Sequence, residues 1–249
     1  MNESISSIGR TRRGFLRGLA GTLAAAGSGQ AFGQGRAGAA PLDHAAILDL
    51  AATAEALAVT LYHRALTGAT FRVSDDTAEA LKVMLEAETH HLELLRSLGA
   101  HPLAERFSLP GNLLSDAGVF VDTALHLETV FTEAYLAATH QFAALGQPEL
   151  AALAAQFGAS EAQHLTLLSQ LAGLGPDQRT LPAASFARMA DAAPALAPFL
   201  RGGAGRNSPV LLPSPEELSV ALGGHVAVRG QPFTRAGGQE GRRSGERLE

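Results

Sequence analysis

Glutamate and histidine stand three residues apart twice in this chain, in Glu88-Thr89-His90-His91 and in Glu161-Ala162-Gln163-His164. On a helix that spacing puts a carboxylate and an imidazole side by side on one face. Each pair is therefore half of a metal site. A lone pair of this kind usually lies on a solvated face, so the weight rests on what accompanies it.

The offset of 73 residues that carries Glu88 to Glu161 and His91 to His164 also carries Glu55 to Glu128 and Tyr62 to Tyr135. It pairs Leu92 with Leu165, Leu94 with Leu167, Leu95 with Leu168 and Leu98 with Leu171. The chain reads as two copies of one helical hairpin. Glu55 and Glu128 sit in the middle of apolar stripes, where an ionised carboxylate without a partner is costly.

Four helices must position these groups. The first is predicted from Asp43 to about Thr67, stopped by Gly68, with Leu48, Ala52, Glu55, Val59 and Tyr62 on one face. The second, capped by Ser74 or Asp75, carries Leu81, Leu85, Glu88, His91, Leu95 and Leu98 to Gly99. The third spans about Asp116 to Leu145 and ends at Gly146, and the fourth starts with Pro148 in its first turn and stops near Gly173. The stretch 100–115 has no clean periodicity and is long enough to return along the whole length of a four-helix bundle. The expected fold is an all-α antiparallel four-helix bundle over residues 43–173, with one long crossover.

From Gly175 onward prolines and glycines break the pattern. Short helices are predicted at Ala183 to Ala192 and at Glu216 to Leu222, the latter capped by Ser214, within an irregular extension over residues 174–228 that drapes over the bundle. From Arg229 to the end the Gly/Arg/Glu composition predicts disorder. Glu86, Glu93, Glu133, His90 and His126 point away from the ligand direction and are expected at the surface or the rim, while His63 and His140 are candidates for an entrance.

Composition narrows the chemistry. There is no cysteine, which excludes disulfides, thiol nucleophiles and cysteine-held iron centres. Residues 1–33 read as an export leader followed by a linker over 34–42: Thr11-Arg12-Arg13-Gly14-Phe15-Leu16-Arg17 precedes a short, weakly apolar segment, with Ala31-Phe32-Gly33 a small-residue cleavage site. No other stretch is expected to be long and apolar enough to cross a bilayer. Without the leader, which holds four arginines and one glutamate, the net charge becomes −8, and nucleic acid is not an expected partner.

Taken together, Glu55, Glu88-x-x-His91, Glu128 and Glu161-x-x-His164 resemble the ligand pattern of ferritin-like di-iron and di-manganese carboxylate proteins: one glutamate from each of two helices and Glu-x-x-His from each of the others. The resemblance covers residues 43–172 and is strongest to exported bacterial ferritin-like domain proteins, some of them described as desiccation-related. It implies that Glu55 and His91 bind one metal ion, Glu128 and His164 a second, and that Glu88 and Glu161 bridge. Four carboxylates and two imidazoles suit two ions of iron or manganese, mixed pairs included, rather than structural zinc. Tyr62 and Tyr135, the only tyrosines, are either core aromatics or hydrogen-bond partners of a bridging glutamate, and similar proteins place a tyrosine two turns beyond the first-helix ligand.

The leader resembles the twin-arginine type, which implies the twin-arginine export machinery as a partner and a periplasmic or secreted product loaded with metal before export. The expected activity is redox chemistry on dioxygen or peroxide, as in a peroxidase, catalase or ferroxidase. Iron storage, which needs a homo-oligomeric cage, and a metal-free stress protein are the readings of other classes.

Overall fold

The apolar repeat produces four long helices whose starts keep the 73-residue spacing. In the computed structural model, which describes residues 44–175 and 180–233, these are α1 His44–Gly68, α2 Asp75–Ser97, α3 Ala117–Ala144 and α4 Pro148–Leu171. The expected leader and linker and the end of the tail lie outside the described residues. α1 pairs with α2 and α3 with α4 as two tightly packed hairpins, and the hairpins meet through α1–α3 and α2–α4.

Local chemistry sets the helix ends. Ser74 Oγ accepts the Thr77 amide at the start of α2, and Asp116 Oδ1 accepts the amides of Gly118 and Val119 at 2.8 and 3.1 Å at the start of α3. Gly99, Gly146 and Gly173, with φ of 88°, 70° and 66°, stop α2, α3 and α4 in a conformation that β-carbons disfavour. Leu98, expected on the inward stripe, is instead the C-cap of α2 and is 45% exposed.

The crossover climbs along α1. The amide of His101 donates to Asp49 Oδ1 at 2.7 Å, that of Leu103 to Thr53 Oγ1 at 2.8 Å, and Thr70 at the far end donates to the Leu114 carbonyl. It is not wholly irregular: β1 (Arg106–Phe107) pairs antiparallel with β2 (Val210–Leu211) of the extension, and Pro110 bridges to Arg206. Two short segments, each with spare backbone groups, satisfy one another.

The extension holds a 3₁₀ turn at Met189–Ala192 that runs into α5 (Ala193–Arg201), and α6 (Pro215–Leu222) with a capping box between Ser214 and Glu217. The helix predicted at Ala183 to Ala192 is therefore displaced toward the C-terminus. Pro194 falls in the first turn of α5, where a missing N–H costs nothing, and burial of Leu196 and Phe199 carries the helix through Pro198.

Crossover and extension together cover α1 so completely that Ala51 to His63 are buried on every side. Contrary to the sequence-based expectation, α1 has the length and apolarity of a membrane-crossing helix; yet 78% of its most apolar 18-residue stretch is buried inside the bundle. Removing the Asp116 cap should destabilise the fold by about 1 kcal/mol. Urea unfolding of Asp116→Ala tests this, and Asp116→Asn should recover most of the loss.

Candidate metal centre

Helical spacing brings Glu55 from α1, Glu88 and His91 from α2, Glu128 from α3 and Glu161 and His164 from α4 into one buried layer. Glu88 and Glu161 are 0% exposed, Glu55 and Glu128 1%, and His91 at 7% is the most exposed of the six. Two overlapping groups of ligand atoms result, Glu55 with Glu88, His91 and Glu161, and Glu128 with Glu88, Glu161 and His164. Both contain Glu88 and Glu161.

The oxygens divide the labour. Glu88 aims Oε2 at His91 Nδ1 (3.5 Å) and Oε1 at His164 Nδ1 (2.8 Å), while Glu161 aims Oε1 at His91 (3.4 Å) and Oε2 at His164 (3.1 Å). Of the two histidines, Glu55 Oε2 meets His91 alone and Glu128 Oε2 meets His164 alone, each at 3.6 Å. Two carboxylates thus span the centre and two sit at its ends.

The tyrosines account for that difference. Tyr62 donates to Glu128 Oε1 and Tyr135 donates to Glu55 Oε1, across the bundle in both directions. Their partners are the end glutamates, which corrects the expectation of a bond to a bridging glutamate. One oxygen of Glu55 and Glu128 is occupied by a phenol, and the other is left for the centre. The crossed bonds also require α1 and α3 to run antiparallel, since residue 62 meets 128 where 55 meets 135.

α4 approaches α3 closely at this layer because Gly158 has no side chain; a β-carbon there would lie 3.3 Å from Tyr135 Cβ. Phe157 fills the space beside it, its ring centroid 4.4 Å from that of His91 and 5.4 Å, edge-on, from Tyr135. In the sequence Phe157 is legible only as one more apolar residue of α4. His63 is buried on α1 beside Glu217 of α6, and His140 is exposed on α3. Glu86 and Glu133, expected at the surface, are also buried, at 6% and 8% exposure.

Electrostatics set the end glutamates apart from the shared ones. Burial, and then the charge of Glu88, pushes the Glu55 carboxyl up to about 8. Burial followed by Glu88 and Glu161 raises Glu128 well above the usual range. At Glu88 and Glu161 burial is outweighed, by the neighbouring Glu55 carboxyl and by His164 at the first and by His164 and His91 at the second, and both are held low. Burial disfavours the imidazolium forms, but the surrounding carboxylates outweigh it and raise His91 and His164. Burial and the nearby glutamates keep Tyr62 and Tyr135 protonated, hence donors.

Glu55 Oε2, both oxygens of Glu88, His91 Nδ1, Glu128 Oε2 and Glu161 Oε1 are buried without a partner in good hydrogen-bonding geometry, even though Glu88 Oε1 lies 2.8 Å from His164 Nδ1. Buried polar atoms are rarely left so, and these six belong to the residues of the two overlapping groups. Two divalent cations would pair them and balance four carboxylates. The residues present fit such a group.

A proton held by folded Glu55 is released in the unfolded chain above about pH 4.5. Its contribution to stability is complete below that pH and is lost as pH rises to about 8. Thermal unfolding of the metal-free protein should therefore give a midpoint that falls from about pH 6 to about pH 8, with a shallower fall in Glu55→Gln. Tyr62→Phe and Tyr135→Phe should each weaken metal affinity about 10- to 100-fold, measured by chelator competition, because an end glutamate loses the bond that orients it.

A family model described as a ferritin-like domain matches residues 43–174. No curated protein and no solved structure matches the chain. Most of the described bundle and all six converging side chains lie inside a match that spans more than half of the sequence, and the chain belongs to the ferritin-like domain family.

Proposed function

We propose that this chain is an exported ferritin-like protein holding a dinuclear iron or manganese carboxylate centre, and that it performs redox chemistry on dioxygen or peroxide. The observation that carries the reading is the division of oxygens: Glu88 and Glu161 each turn one oxygen toward each histidine, whereas Glu55 and Glu128 each serve one end. Glu55 and His91 would hold one ion and Glu128 and His164 the other, with Glu88 and Glu161 shared. Bound there, the ions would supply Lewis acidity and reversible electron transfer toward an oxidant.

The protein's own part is positioning and exclusion. Tyr135 and Tyr62 hold the end glutamates in one orientation and keep a proton at their phenol oxygens within reach of the layer. The buried apolar residues around it, including Met84, Leu92, Phe131, Phe157 and Leu168, limit bulk water. Acidic, oxygen-rich ligation favours iron or manganese over softer metals.

Export through the twin-arginine route to the periplasm or beyond rests on Arg12-Arg13-Gly14-Phe15-Leu16, and suits a centre assembled before export because that route carries folded proteins.

Metal analysis of protein purified after native export should find about two iron or manganese ions per chain. Glu88→Ala and Glu161→Ala should lose both ions and the consumption of peroxide or oxidation of ferrous iron; Glu55→Ala and Glu128→Ala should each retain one. A wild-type protein that is stable, free of metal and without affinity for iron or manganese would refute the reading and leave a structural, stress-related bundle.

A further inference from the structure

Residues 225–233, the last of the described extension, run across the bundle. His225 Nδ1 meets Glu79 Oε1 at 2.8 Å. Arg229 then forks between two acids of α2, pairing with Glu86 at 2.8 and 2.9 Å and with Glu93 at 2.7 Å. His90 Nε2 lies 3.3 Å from the Gly230 carbonyl. On α4, the Gln156 amide reads the backbone twice: Nε2 donates to the Gln231 carbonyl at 3.1 Å, and Oε1 accepts the Phe233 amide at 2.9 Å. The segment thus passes from α2 to α4.

Its crossing point lies beside the His91 half of the centre. His90 precedes His91, the most exposed of the six converging residues, and Gln156 precedes Phe157, whose ring lies against His91. The anchors are absent from the other half of the repeat. At the 73-residue offset Glu86, His90 and Glu93 become Ala159, Gln163 and Thr166, and Gln156 becomes Val83. The bundle is nearly twofold, but the strap belongs to one end of it.

The strap is also poorly packed. None of residues 225–233 is buried, and Arg229 borders a cavity of about 380 Å³ between α2 and α6. It is held by polar contacts rather than by apolar burial, which places it at the low-stability end of the fold.

We propose that residues 225–233 form a strap that closes the α2–α4 face of the bundle at its His91 end and sets how fast ions and small oxidants reach the centre. The access it regulates presupposes the dinuclear reading above, but the closure can be measured without metal. Carbethoxylation of His91 in the metal-free protein, followed by peptide mass spectrometry, reports the exposure of that face. In the double variant Arg229→Ala, Gln156→Ala the reaction should run roughly five-fold faster or more, as expected when part-exposed polar anchors are lost.

Gln163→Ala, at the other end of the same face, should leave the rate unchanged, and an unaltered thermal midpoint shows that the bundle is intact. An unchanged rate in the double variant, or an equal rise in Gln163→Ala, overturns the proposal. In iron-loaded protein the double variant should release iron to a chelator faster while still holding the same number of ions. Failure of the wild type to bind metal would refute the dinuclear reading and would leave the His91 result to judge the strap by itself.

Discussion

Four carboxylates inside an apolar core form the constraint on which this structure depends. Each of Glu55, Glu88, Glu128 and Glu161 is essentially without solvent, and each raises the cost of ionising its neighbours. The fold offsets that cost with two phenol donors, two imidazoles and an arrangement that gathers the remaining oxygens into two overlapping groups. A core built only for stability would place leucines here, since replacing buried ionic groups by apolar ones of similar volume is often neutral or stabilising. Retention of all six polar groups in one layer is what points to cations.

The crossed tyrosine bonds tie this layer to the topology. Because Tyr62 reaches Glu128 and Tyr135 reaches Glu55, α1 and α3 run in opposite directions. A chain leaving α2 must then travel the length of the bundle before starting α3. It does so along α1, and the same path supplies β1, on which the extension pairs. Electrostatics at the centre, the long crossover and the covering of α1 are consequences of one arrangement.

Much of this was legible in the sequence, because periodicity of 3.6, caps and the 73-residue offset all speak about local geometry. Helix ends at Ser74, Asp116 and Gly146 fall where side-chain chemistry predicts them. The convergence of Glu55, Glu88, His91, Glu128, Glu161 and His164 follows from their faces alone. What escaped depended on partners distant in sequence. Glu86 looks like a surface acid until Arg229, more than a hundred residues later, folds onto it. The partner of Tyr62 could not be told from spacing within α1, because it is set by the direction of α3. α5 was hidden by its two prolines, whose local cost is outweighed by burial of Leu196 and Phe199.

The central claim is that the six side chains enclose a pair of metal ions, and anomalous diffraction from crystals of metal-loaded protein at the iron or manganese edge tests it most directly. Two peaks are expected, both against Glu88 and Glu161, one also against Glu55 and His91 and the other against Glu128 and His164. A density map with no peak in this layer and the glutamates hydrogen-bonded to one another as neutral acids would contradict it.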